Sequence, residues 1–265
     1  MQNRYALLGL ILSLATTAFA QDTVHTSVSA DVFSRSAHFS AAPQFLQGQV
    51  VAGSPYSAEE TQTTVQTLAD GTHITHLAST GRLYRDSAGR TRTEHSLLLS
   101  AAARKQKADV PVIIEIIDPV EHVKYTLDNV NKVAHKQVVS AVHTKKHAAE
   151  HAQVADEEAP KTIHEKLGNQ TMEGLRVEGT RYTIVYPTGS EGNDRPMTVV
   201  HESWWSPDLK VIVISTDNDP RNGESTRKLT NVDRSEPDPS LFVPPADYTV
   251  VEEKGDFTIK WGSEK

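Results

Sequence analysis

The stretch that decides the fold is residues 61–80, TQTTVQTLADGTHITHLAST. Residues 61–69 are rich in Thr and Val, which favour strands, and Asp70-Gly71 then readily supplies the positive φ angles of a tight hairpin turn. Residues 73–80 form the returning strand of this prediction. The stretch therefore predicts an antiparallel hairpin.

The same alternation of short strand and turn signal continues along the chain. Further strand-like runs occupy residues 81–85, 90–99, 110–117, 122–127, 132–139, 163–171, 175–186, 197–205, 210–216 and 225–232, and residues 249–261 can add a last edge strand. The pattern predicts a mainly β protein with a curved antiparallel sheet of about ten to twelve strands and few helices. An open half-barrel and a β-sandwich-like arrangement both fit it.

The predicted organisation follows from where this alternation stops. Residues 1–20 form a signal peptide and residues 21–60 an irregular N-terminal segment. Residues 61–139 and 161–265 are two parts of one β domain, separated by an exposed His-rich linker or helix at 140–160. Near the end, prolines in residues 237–248 prevent regular ladder pairing while Leu241, Phe242 and Tyr248 can pack on the body of the domain.

The first twenty residues give the cellular address. Arg4 precedes the apolar run 6–15, and Ala18-Phe19-Ala20 supplies a small-x-small cleavage site ahead of Gln21. The apolar run is too short to span a bilayer, and no later run is long enough for a transmembrane segment. We therefore expect a protein exported to the periplasm or beyond, with no transmembrane segment in the mature chain.

Composition excludes several classes of function. The chain has no Cys, so neither disulfides nor N-terminal acylation at a lipobox Cys is expected. The formal net charge is −7, and cleavage after Ala20 removes Arg4 and no acidic residue, which argues against a nucleic-acid partner. Phosphate-binding glycine loops are missing, and we expect no cofactor.

Catalytic motifs give no assignment. A G-x-S-x-G elbow is missing, and neither His164-Glu165 nor His201-Glu202 is followed by the second His of H-E-x-x-H. A hydrolase could still assemble its site from distant Ser, His and Asp residues.

The candidate metal ligands are His143, His147 and His151, with Glu150 beside them. On a helix, this spacing of four places the imidazoles along one stripe, where neighbours can share a Zn(II), Cu(II) or Ni(II) ion. The alternative is a solvated linker, which the Ala-rich, charged composition of the segment favours.

The candidate ligand-binding residues fall in two groups. Arg82, Arg85, Arg90 and Arg92 gather on one predicted hairpin, where their guanidinium groups can recognise carboxylate or phosphate, or protect the edge of a sheet. Trp204 and Trp205 can line a groove or a partner surface, or pack in the core.

Several motifs in this order resemble a family of secreted bacterial proteins that has no assigned activity. They are SPYSAE at 54–59, LADG at 68–71, YRDSAGRTR at 84–92, IDPV at 117–120, EGLRVEGTR at 173–181, WWSPDL at 204–209 and PDPSLF at 237–242. More distantly, the antiparallel strands, the WSPDL turn and the closing LFVPPADY are similar to the periplasmic lipoprotein carriers and a related periplasmic stress sensor. This resemblance implies an open β half-barrel whose concave face holds an acyl chain or a hydrophobic peptide.

Together these observations favour a non-catalytic binding protein whose ligand is a lipid, another apolar molecule or an envelope protein. An extracytoplasmic hydrolase and a structural or signalling envelope protein are the alternatives. Convergent titratable groups in a cleft would favour the enzyme, whereas a broad groove would favour binding.

Overall fold

The computed structural model describes residues 35–39, 50–96, 112–139 and 159–261. Within these ranges it has fourteen strands and one short 3₁₀ helix, Pro239–Phe242. The strands are β1 Arg35–Phe39, β2 Tyr56–Thr67, β3 His73–Arg85, β4 Thr91–Ser96, β5 Val112–Asp118, β6 Val123–Asp128, β7 Val133–Val138, β8 Lys161–Met172, β9 Leu175–Tyr186, β10 Met197–Ser206, β11 Val211–Asp219, β12 Gly223–Asp233, β13 Thr249–Glu252 and β14 Phe257–Trp261.

Twelve of these strands form one open sheet, in the order β13-β7-β6-β5-β4-β3-β2-β12-β11-β10-β9-β8. Two meanders, β2 to β7 and β8 to β12, meet where β12 pairs antiparallel with β2. All its ladders are antiparallel except the one between β13 and β7. The prediction of a mainly β, open antiparallel sheet is therefore confirmed.

The hairpin that decided the prediction is present. Strands β2 and β3 pair from Tyr56↔Arg85 to Thr67↔His73, and the Oδ1 of Asp70 accepts a hydrogen bond from the backbone N of Thr72 at 2.9 Å. The short carboxylate side chain closes the turn locally, as Asp commonly does.

Several strand boundaries differ from the prediction, and the predicted strands 73–80 and 81–85 form the single strand β3. Strand β2 begins at Tyr56 rather than at residue 61, because Tyr56 and Ala58 are buried in the core and extend the ladder to Arg85. The tail at 249–261 forms two strands rather than one. Its first part, β13, adds to the edge of the sheet at β7, whereas β14 leaves the sheet and pairs with β1.

The core consists of three clusters. The largest lies around the junction of the meanders and includes Tyr56, Ala58, Leu175, Val177, Trp204, Leu209, Val211, Val213 and Leu229. A second packs Ile116, Leu127 and Ala134 beneath Phe242, with Leu241 and Tyr248 beside it, as expected for the Pro-rich closing segment. The third joins Ile113 to Phe257, Ile259 and Trp261 of β14.

No helix in the described ranges has the length and apolar character that crossing a membrane requires. The signal peptide, the His-rich part of segment 140–160 and most of segment 21–60 lie outside the described residues.

Replacement of Phe242 tests whether the closing segment stabilises the sheet. Phe242 is 1% exposed, so Phe242→Ala should lower the free energy of unfolding by about 3–5 kcal/mol through lost burial and a new cavity. Chemical denaturation measures this loss. The neighbouring Val243 is 48% exposed, and Val243→Ala should change stability by no more than about 0.5 kcal/mol. Equal effects of the two substitutions would contradict the role assigned to Phe242.

Asp219 should make stability depend on pH. Hydrogen bonds from the Arg221 side chain, 2.7 Å from its Nη2 to Asp219 Oδ2, hold the pKa of Asp219 below its ordinary value of 3.8. A lowered pKa in the folded state stabilises the protein above the ordinary pKa, and this contribution is lost as pH falls through the lowered value.

We therefore expect Asp219→Asn to destabilise the protein more at pH 7 than at pH 3, as measured by denaturant titration at both values. Asp194→Asn is the matched control, because the Asp194 side chain is 85% exposed. A pH-independent loss in Asp219→Asn would contradict the prediction.

Candidate functional site

The candidate site lies on one half-exposed face of the sheet. Glu165 on β8 is directly opposite Arg181 on β9, which is opposite Glu202 on β10, which is opposite Thr216 on β11. Directly opposite residues of antiparallel strands share a face. The face that carries this row is called the open face below.

The open face continues across the junction of the meanders. Thr216 is opposite Thr226 on β12, and Thr226 is opposite Thr63 on β2. Side chains alternate along a strand, so Glu59 shares the face of Thr63, and so does Arg82, its partner on β3. Both meanders therefore contribute to the same face.

Arg181 is the centre of an ion-pair network on this face. Its Nη2 lies 2.9 Å from Oε2 of Glu202, and its Nη1 lies 3.6 Å from Oε2 of Glu165. The hydrogen bond to Glu202 is the main cause that raises the pKa of Arg181 above its ordinary value. The Arg181 side chain is 37% exposed, so the pair positions a guanidinium that remains open to solvent.

Glu202 links this network to the core. Its Oε1 accepts a hydrogen bond of 2.9 Å from Nε1 of Trp204, which is 7% exposed. The indole lies against Gly179 on β9, where an added Cβ would come within 2.6 Å of the Trp204 ring. The buried indole thus holds a carboxylate that in turn holds Arg181.

The open face has two shallow depressions, each of about 430 Å³. The first lies over β8 to β12 and the second over β2 to β5. The charged residues of the first are Glu165, Glu202, Glu224 and Arg181. The second has Glu59, Glu94 and Arg82, and Glu60 also borders it, although its carboxylate is buried on the other face against Arg227. Both depressions therefore have more carboxylates than guanidinium groups.

The four predicted arginines do not converge on one ligand site. Arg85 is buried, and it donates hydrogen bonds to the backbone oxygens of Ser54 and Leu209 while its guanidinium lies 4.8 Å from the ring centre of Tyr56. Burial lowers the pKa of Arg85. This arginine connects β3 to the turn that follows β10.

Arg90 and Arg92 pair with nearby carboxylates. Nε of Arg90 lies 2.5 Å from Oδ2 of Asp86, and Nε of Arg92 lies 2.7 Å from Oε1 of Glu94. Arg92 also donates to the backbone O of Leu241 at 3.0 Å, which attaches the closing segment. Arg82 is exposed and is the one member of the group in the second depression.

The two tryptophans have different environments. A register shift between Trp204 and Trp205 in the β10–β11 ladder leaves Val213 as an extra residue on β11. Trp204 is in the core, whereas Trp205 is half-buried.

His164 and His201 lie on the face of the sheet opposite the Arg181 network, since both are opposite Tyr182. His164 packs edge-on against Tyr182 with ring centres 4.7 Å apart, and Nδ1 of His201 contacts Oδ1 of Asp217. The described residues contain no group of three His, Cys, Asp or Glu side chains that could hold a metal ion. His143, His147 and His151 lie outside them, so that prediction stays untested.

The sequence prediction did not identify Arg181, Glu202 or Glu165 as a group. The sequence predicts the turn between β8 and β9. If the ladder continued without a break from its closing pair Met172↔Leu175, Tyr182 would be opposite Glu165. A register shift between Lys166 and Gly168 places Arg181 there instead. The φ of 86° at Gly168 suits glycine, and this residue is the one local signal of the shift.

Substitution of Gly179 tests the contact that positions Glu202. Gly179→Ala should displace the Trp204 indole, lower the free energy of unfolding by about 1–3 kcal/mol and shift the tryptophan fluorescence to longer wavelength. Gly255→Ala is the matched control, since its added Cβ would have no neighbour within 4 Å. An unchanged emission spectrum in Gly179→Ala would contradict the assigned packing.

Comparisons with known proteins give structural likenesses only. No family model matches the chain, and no curated protein does. A conserved uncharacterized protein from Thermus thermophilus is 10% identical with a TM-score of 0.37, covering 76% of this chain and 91% of that one.

Two further solved structures also match. The Pseudomonas aeruginosa MucA/MucB complex matches at 10% identity and a TM-score of 0.34 over 74% of this chain and 58% of that one. A LolA superfamily protein from Nitrosomonas europaea matches at 8% identity and a TM-score of 0.24 over 72% and 90%. A distant likeness to LolA-superfamily and MucB-type proteins is thus found, as the sequence indicated, but at these values it carries over no ligand, partner or activity.

Proposed function

We propose that this chain is exported through residues 1–20 and acts in the periplasm or outside the cell as a non-catalytic binding protein. Residues 61–139 and 161–265 act as parts of one domain in this proposal, joined by segment 140–160. The bound partner is an envelope protein that presents a basic, extended segment to the open face.

The observation that carries the proposal is the excess of carboxylates over guanidinium groups in the two depressions. The first combines three Glu with one Arg, and the second presents Glu59 and Glu94 beside Arg82. An extended segment with Lys or Arg side chains complements this charge, and electrostatic complementarity determines partner choice and speeds association. A lipid chain would instead need a continuous apolar lining.

The fixed geometry of the Arg181 network supports selectivity within this face. Arg181 lies between two carboxylates, and Glu202 accepts hydrogen bonds from both Arg181 and Trp204. Glu224 lies in the same depression and is exposed, so its carboxylate is available to a partner's cation. The network therefore supplies a rigid surface beside an accessible negative charge.

Site-specific photocrosslinking tests the proposal in the envelope of the native organism. A benzophenone amino acid at Thr216 lies on the open face, whereas one at the adjacent Ser215 lies on the opposite face and is the matched control. We expect a discrete protein adduct from position 216 and none from position 215. The yield should fall as ionic strength rises, because salt screens exposed charges.

Charge reversal then distinguishes this surface from others. Glu224→Lys should reduce the adduct from position 216, and Glu121→Lys, which changes the net charge equally at the exposed turn after β5, should not. Equal labelling from positions 215 and 216, or no adduct from either, would overturn the proposal. A lipid adduct alone would overturn the protein partner and favour the apolar-ligand alternative.

A further inference from the structure

The edge strand β8 has features that fit a second copy of this chain. Among the described residues it is the outer edge of the second meander, it is twelve residues long, and its residues 161–166 are all exposed. Such an edge presents unpaired backbone N–H and C=O groups that can add a further strand. The opposite edge strand, β13, has only four residues.

Two features limit where a strand can add to β8. Pro160 precedes the strand and has no N–H to donate. At the other end, the register shift between Lys166 and Gly168 bends the strand. The part of β8 that remains regular and can pair with an added strand is Lys161 to Lys166.

The charges in this part are self-complementary in one register. When two copies pair antiparallel about a two-fold axis, the residue at the axis is opposite itself in the second copy. A residue before that position is opposite the second copy's residue that lies the same number of positions after it. With the axis at Ile163, Lys161 is opposite Glu165 of the second copy, and Glu165 is opposite its Lys161. Ile163 then meets its own counterpart, and Thr162 is opposite His164.

Neighbouring registers lose this complementarity. An axis at Glu165 places two carboxylates opposite each other, an axis at His164 places Ile163 opposite Glu165, and an axis at Thr162 places Lys161 opposite Ile163. Like charges directly opposite destabilise a pair of strands, whereas opposite charges and apolar pairs stabilise it.

Burial supports the same register. Lys161, Ile163 and Glu165 share one face of β8, since their partners on β9 are Val185, Thr183 and Arg181. Ile163 is 52% exposed, an apolar side chain at the centre of the pairing window. Glu165 is 50% exposed, so its carboxylate is accessible to a strand added at this edge.

We propose that two copies of this chain associate through antiparallel β8–β8 pairing centred on Ile163, with reciprocal Lys161–Glu165 ion pairs. The two-fold axis is perpendicular to the sheet, so the open faces of both copies lie on the same side. The first depressions of the two copies become neighbours on one continuous sheet. The inference goes beyond the proposed function, because the pairing requires no other partner.

Sedimentation equilibrium of protein recovered from the periplasm of an expressing bacterium tests the pairing. We expect a concentration-dependent dimer of the wild-type chain. Lys161→Glu and Glu165→Lys should each create two like-charge contacts and raise the dimer dissociation constant by about tenfold or more. The double variant with both substitutions should restore dimerisation, because it regenerates two opposite-charge pairs.

Lys254→Glu is the matched control, since Lys254 is exposed near the other edge of the sheet and its substitution changes the net charge as Lys161→Glu does. It should leave the dimer unchanged, and circular dichroism should show that each variant keeps its strands. A monomer at all concentrations, or a dimer that the single variants leave intact, would overturn the proposal. Failure of the double variant to restore the dimer would overturn it as well. None of these outcomes bears on photocrosslinking at position 216.

Discussion

The antiparallel ladder between β12 and β2 is the constraint on which the rest of the sheet depends. It joins the last strand of one meander to the first strand of the other, although the two strands are far apart along the chain. Leu229 and Glu60 are opposite each other at this junction, and both are buried. Arg227 contacts the Glu60 carboxylate, so the junction contains a paired charge beside the apolar core. Because this ladder joins the two meanders into one sheet, the open face extends across both of them.

The candidate site depends on the same core. Trp204 belongs to the cluster at the junction, and its indole N–H holds Glu202, which holds Arg181 at the surface. An ion pair on an exposed strand contributes little to stability by itself. Anchored through a buried indole, it gives the open face a defined arrangement of charge, and this favours a binding surface over a mobile charged patch.

The sequence correctly predicted most strands and turns and a mainly β protein, because these features depend on local patterns. Asp70-Gly71 closes the first hairpin, and the Pro-rich segment around Phe242 packs on the core without a ladder. The structure shows where the predicted site residues lie. The arginines of one hairpin are divided between a buried contact at Arg85, local ion pairs at Arg90 and Arg92, and the exposed Arg82. Alternation along β3 places Arg85 on the face opposite Arg82.

The sequence by itself determined the β class, the order of hairpins, the acidic charge and the expectation of export, because each follows from composition or from residues that are neighbours along the chain. Only the tertiary structure decided that β12 meets β2, that β14 leaves the sheet to pair with β1, and that Arg181 lies between Glu165 and Glu202. The physical reason is register. A shift of one residue at Lys166 to Gly168 moves every following side chain to the other face, and burial across the whole sheet selects the register.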